Sequence, residues 1–227
     1  MTPLVLIPGM MCDARMWGGI DAALGVPVLH HLPVQAETMS AMAALFLADA
    51  PQHFALAGLS MGGILAMEIL RQAPGRITRL ALMDTNPRAE MAEVRSRRGP
   101  QIDRALAGDL AGVMRDEMKP NYLAPGPGKA AILDLCMDMA LSLGPQVFAR
   151  QSRALRDRGD QQATLAGFAG PALVLMGEQD RLCPLDRHQA MQSLMPQSRL
   201  VIIPGAGHLP PLEQPDATLR ALRDWLA

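Results

Sequence analysis

The chain has 227 residues, enough for one domain with a sizeable insertion. Hydrophobic residues make up 49%, but aromatics are only 3% and Met reaches 17, so Leu, Ala, Val, Ile and pliable Met side chains must fill the core. The formal net charge is -1, from 21 basic and 22 acidic residues, with no basic block of the kind that neutralises phosphates, which excludes nucleic acid as a partner.

Cys12, Cys136 and Cys183 are odd in number and lack metal-ligand spacing, so they read as reduced thiols. No basic n-region precedes the apolar stretch Leu4–Ile7, and no apolar segment approaches the length of a membrane span. The expectation is a soluble cytoplasmic protein, monomer or homodimer, with no membrane partner.

In chain order, short apolar runs end at turn residues and alternate with helical patterns. The runs are Leu4–Ile7, Val26–Leu29, Phe54–Ala57, Leu80–Met83, Ala172–Met176 and Leu200–Ile203. Being apolar on both faces, they read as strands buried between helix layers. Helical stretches cover Ala36–Asp49, Gly62–Arg71, Leu185–Leu194 and Asp216–Leu226. The alternation predicts an α/β fold with a mostly parallel, doubly wound sheet, whose ligands bind at the carboxyl ends of the strands.

From Pro87 to Gly167 the rhythm changes to helices alone: Glu90–Leu106, Asp109–Lys119, Lys129–Leu143 and Gln146–Arg156. This predicts a core made of residues 1–86 and 168–227 with a helical cap, 87–167, inserted between them. The arginine-rich stretch Arg95–Arg104, broken by Gly99-Pro100 and Asp103, reads as a solvated helix face. Met114, Met118, Leu133, Met137 and Leu141 recur at helical spacing, to pack the insertion on the core or to line a cavity.

Gly58-Leu59-Ser60-Met61-Gly62 is a G-x-S-x-G sequence between a buried strand and a helix-forming run. In that context the serine sits in a tight strand-to-helix turn with its hydroxyl projecting. A serine hydroxyl is a weak nucleophile without a base. Of the five histidines, His53 precedes its strand, His188 falls in a helix and reads as half exposed, and His30 and His31 follow a weak strand. His208 follows the last strand in Pro204-Gly205-Ala206-Gly207, the position a base for Ser60 requires.

The histidine needs a carboxylate to orient it. Asp180, after the penultimate strand, is the candidate; Asp84 is its main rival, and Glu178 and Asp186 are lesser ones. Backbone N–H groups of Met61 and of Met10, in the loop Pro8-Gly9-Met10-Met11, are the candidate oxyanion donors.

These residues resemble the α/β-hydrolase superfamily over nearly the whole chain. The run Ala57–Gly63 and the ending Gly207-His208-Leu209-Pro210-Pro211-Leu212-Glu213-Gln214-Pro215 are similar to the branch of carboxylesterases, enol-lactonases, pimeloyl-ester esterases and perhydrolases. The likeness departs at Pro8, where the family often has His, and in lacking the N-terminal antiparallel hairpin, which implies about six strands. The resemblance implies a catalytic triad Ser60, Asp180, His208, with no metal and no organic cofactor. The expected activity is hydrolysis of a small, largely apolar and uncharged carboxylic ester through an acyl-enzyme. Lactonase, thioesterase, amidase or carbon–carbon hydrolase activity, or ligand binding without catalysis, remain alternatives on the same fold.

Overall fold

The six apolar runs form the six strands of one sheet in a computed structural model that describes residues 2–227. The strands are β1 (Leu4–Ile7), β2 (Val28–His30), β3 (Phe54–Leu59), β4 (Ile77–Met83), β5 (Ala172–Gly177) and β6 (Arg199–Ile203). All neighbours pair in parallel, in the order β2-β1-β3-β4-β5-β6. The central strands are buried on both faces because helices cover both sides. Strand β2 starts two residues later than its apolar run, because Pro27 has no N–H for the ladder and offers only its carbonyl, to Leu4.

Two hydrophobic clusters flank the sheet, fed by alternating strand residues. Val5, Ile7 and Leu56 face the side of α1 (Met39–Asp49), α2 (Met61–Gln72) and α7 (Leu185–Leu194). Leu4, Leu6 and Ala57 face Trp17 and α9 (Pro215–Leu226). Helix α1 begins three residues after its expected start because Thr38 caps it, its hydroxyl accepting from the Ala41 N–H at 3.1 Å.

Between β4 and β5 the chain is helical: α3 (Ala92–Arg104), α4 (Leu110–Val113), α5 (Lys129–Arg156) and α6 (Gln162–Ala166). The two helices expected around Gly144-Pro145 run together as α5, kinked where Gly144 takes φ 82°. Its length and composition would allow a membrane span, but Met139, Ala140, Phe148 and Ala149 are buried against the core. Of the methionine–leucine stripe, Met114 packs in the core, Met118 reaches a cleft and Leu141 is exposed. Short α8 (Pro210–Glu213) leads into α9.

Strand order reverses at β1, whose two neighbours are β2 and β3, so the loops after β1 and β3 open a crevice at the carboxyl edge. Glycine is required where these segments meet. A Cβ on Gly62 would strike the backbone oxygens of Ile7 and Pro8, and one on Gly58 would strike the backbone of Gly62 and Gly63. Backbone cannot yield as a side chain can. Gly62→Ala is therefore expected to destabilise the fold by about 3 kcal/mol, a Tm drop of roughly 6–12 °C by calorimetry; an unchanged Tm would contradict this close approach.

Candidate active site

Ser60 lies between the last residue of β3 and the first of α2, at φ 55° and ψ -117°. A non-glycine residue adopts that backbone only under constraint, at a cost of order 1–3 kcal/mol. Two hydrogen bonds hold it: the Ser60 N–H donates to the Met83 carbonyl at 2.8 Å, and the Thr85 hydroxyl donates to the Ser60 carbonyl at 2.7 Å. Thr85 escaped the sequence reading because a threonine after a strand carries no distinguishing signal.

Ser60 Oγ lies 2.9 Å from His208 Nε2, and His208 Nδ1 lies 2.9 Å from Asp180 Oδ2. The other Asp180 oxygen accepts from the Leu182 and Cys183 N–H groups at 2.8 and 3.1 Å. Burial works against the charged form of Asp180, but the His208 ring and these amides outweigh it and hold the carboxyl below its ordinary range. The His208 N–H donates to the Tyr122 carbonyl at 2.6 Å. Glu213 clamps the same loop by accepting from the N–H groups of Gly207, Leu209 and Ala124.

Asp84, the rival carboxylate, accepts from the Gly177 N–H at 2.8 Å and has no contact with His208. Complete burial, then the charge of nearby Asp180, push its carboxyl well above the usual range. Glu178 and Asp186 are exposed.

The other histidines lie elsewhere. His30 pairs with Asp21 at 2.8 Å, His31 stacks on Phe46, and His53 is exposed. His188 departs from the half-exposed expectation: it is fully buried, its Nδ1 3.3 Å from the Pro184 carbonyl. The short run of α7 did not reveal which face turns inward.

Of the two candidate oxyanion donors, Met61 is the first residue of α2, so its N–H has no acceptor within the helix. Met10 stands between two committed amides: the Gly9 N–H meets Met16 Sδ at 3.3 Å, and the Met11 N–H donates to Gln151 Oε1 at 2.9 Å. Buried Gln151, from α5, also donates to the Pro33 carbonyl at 3.1 Å and so pins the loop. Nothing in the sequence linked Gln151 to that loop, 140 positions away.

Ser60, His208, Met10 and Met61 all open onto a cleft of about 320 Å³ roofed by the helices between β4 and β5. Asp180, Cys183 and His208 bring donor atoms within 4.8 Å of one another, as a metal set would. Their chemistry does not fit a cation: Asp180 and His208 are spent on each other, and burial pushes the Cys183 thiol up, so it stays protonated.

An activated-serine geometry at the carboxyl edge of a parallel sheet defines the hydrolase class of α/β proteins. A family model described as the alpha/beta hydrolase family matches residues 4–221, and the chain belongs to that family. The chain is similar to the pimeloyl-[acyl-carrier protein] methyl ester esterase of Photobacterium profundum, at 28% identity over 87% of this chain and 80% of that protein. It also resembles a malate-bound thermophilic esterase from Thermogutta terrifontis, at 30% identity and a TM-score of 0.89 over 100% of this chain and 89% of that one. The enol-lactonase of Burkholderia xenovorans LB400, at 22% identity and a TM-score of 0.88 over 99% and 91% of the two chains, shares the fold.

Burial holds His188 down at about 4, against an ordinary value of 6.5. The unfolded chain takes up this proton first, so the contribution is intact above pH 6.5 and is lost as pH falls toward 4, by at most about 3 kcal/mol. The Tm is expected to drop from pH 7 to pH 4.5, and His188→Leu to flatten that slope; parallel slopes in both proteins would contradict it.

Proposed function

We propose that this protein is a serine hydrolase that cleaves a small carboxylic ester through an acyl-enzyme. The observation that carries the reading is the unbroken contact chain Asp180–His208–Ser60, with both links at 2.9 Å. His208 takes the Ser60 proton as Oγ attacks the ester carbonyl. The N–H groups of Met10 and Met61 stabilise the oxyanion, and each such donor is worth roughly 10²–10³ in rate. Asp180 keeps His208 in the tautomer with Nε2 free and stabilises the imidazolium. The alcohol leaves with the proton from His208. A water activated by the same ring then hydrolyses the acyl-Ser60 ester and frees the acid. The step requires no metal or organic cofactor.

Apolar side chains surround the reacting carbonyl. Met10, Leu59, Met61 and Ile64 line the cleft beside Ser60, which suits a short aliphatic chain. The similarity to ester hydrolases in sequence and structure supports an ester over an amide.

A fluorophosphonate probe is expected to label Ser60, as read by peptide mass, with labelling lost in Ser60→Ala and His208→Ala; a folded protein that takes no label would overturn the reading. Asp180→Asn is expected to lower kcat about 10⁴-fold, because the amide stabilises the wrong tautomer. Asp84→Asn keeps the oxygen that accepts from Gly177 and is expected to stay within about tenfold of the native kcat. The opposite ranking would make Asp84 the orienting carboxylate.

A further inference from the structure

The cleft is charged beyond its apolar floor. Arg97, Arg98, Arg158 and Arg187 line it against only Glu90 and Glu117. Glu117 is engaged by Arg104 and Gln101, and Arg97 pairs with the exposed Glu93. That leaves Arg98 and Arg158 on the carboxylate of Glu90, with Arg187 close to Arg158.

Arg98 overturns the expectation of a fully solvated helix face over Arg95–Arg104: its side chain is 11% exposed, while Arg95 and Arg97 on the same helix are solvated. Glu90 and Arg158 are buried with it, at 6% and 7%. Arg98 Nε and Nη2 donate to Glu90 Oε2 at 3.1 and 2.7 Å. Arg158 lies 3.1 Å from Glu90 Oε1, donates to Oε2 at 3.2 Å, and gives its Nε to the Arg88 carbonyl at 3.0 Å. Two buried guanidiniums thus share one carboxylate, and one positive charge is uncompensated. Burial, with Arg98 and Arg187 beside it, holds Arg158 below its ordinary value although Glu90 opposes them.

The spare donor of Arg98 lies toward the reacting end. Arg98 Nη1 meets only the thioether of Met10, at 3.8 Å, and a thioether is a weak acceptor. Met10 is the residue whose amide faces the oxyanion. Arg187 repeats the pattern: Nη2 lies 3.9 Å from Met91 Sδ, and its ion pair with exposed Asp186 is long, at 3.5 Å. A buried cation without its full set of acceptors is costly unless an anion completes it. A planar guanidinium fork matches a carboxylate in two parallel hydrogen bonds.

We propose that Arg98, Arg158 and Arg187 form an anion subsite in the Ser60 cleft, and that the substrate is an ester bearing a free carboxylate a few carbons from the scissile carbonyl. The inference rests on the hydrolase reading of Ser60, and it places a charge where the expected substrate was an uncharged ester. The apolar wall at Met10 and Met61 takes the intervening methylenes, and the arginines take the end.

Two matched esters test it: monoethyl glutarate, and ethyl valerate, which carries a methyl where the carboxylate stands. The native protein is expected to favour monoethyl glutarate at least tenfold in kcat/KM, with free glutarate inhibiting ethyl valerate hydrolysis competitively. In Arg98→Gln and Arg158→Gln the ratio of the two kcat/KM values is expected to collapse toward unity, and Arg98→Lys to keep part of it. A variant that merely folds poorly would lower both esters together and leave the ratio intact. Preference for ethyl valerate by the native protein, or a ratio that survives in both glutamine variants, would overturn the subsite while leaving the hydrolase standing. Hydrolysis of neither ester, with Ser60 unlabelled by fluorophosphonate, would overturn the hydrolase reading and the subsite with it.

Discussion

The site depends on one close approach of backbone to backbone. Strand β1 exits beside the first turn of α2, and Gly62 has no side chain to hold them apart. Gly58 does the same between β3 and α2. The turn between them is so tight that Ser60 is driven to positive φ, and the sheet and helix on either side must outweigh that strain. The reward is position. The hydroxyl stands at the reversal of strand order, next to the amide of Met10 from the neighbouring strand and the first free amide of α2. A looser turn would cost Ser60 its 2.9 Å contact with His208.

The helices between β4 and β5 do more than roof the cleft. Gln151 on α5 holds the loop after β1 through Met11 and Pro33. The carbonyl of Tyr122 and the amide of Ala124 hold the loop of His208, the second through Glu213. Both loops that complete the site are therefore braced by the insertion, one from each of its halves. A change in this segment is transmitted to Met10 and to His208 without touching Ser60, whose own supports come from Met83 and Thr85.

Much of this architecture was legible before any coordinates, because buried parallel strands read as short apolar runs. All six runs became strands; β4 begins three residues before its run, at Ile77, and β3 runs on to Leu59, while the run at Pro27 lost its first two residues, since a missing N–H moves a ladder without changing hydropathy. Ser60, Asp180 and His208 were legible for a similar reason: each follows such a run, so the topology gathers them at one edge. What stayed hidden was everything decided by the facing of a helix. His188 and Arg98 lie on short or strongly polar helices, where sequence spacing marks no buried side. Their burial comes from the neighbours that close over them, Pro184 in one case and Glu90 with Arg158 in the other. Gln151 was hidden because its partner is remote in the chain.

These hidden residues divide the charge of the site between two sides of His208. Behind the ring lie two carboxyl groups, Asp180 and Asp84, which burial and their partners push in opposite directions, Asp84 up and Asp180 down. Asp84 ties the end of β5 through Gly177, and so sets the start of the loop that carries Asp180. In front of the ring the surplus is of opposite sign, from arginines that Glu90 only partly neutralises. The same field that would draw an anionic substrate in would also favour the negative charge that develops when Ser60 attacks a carbonyl.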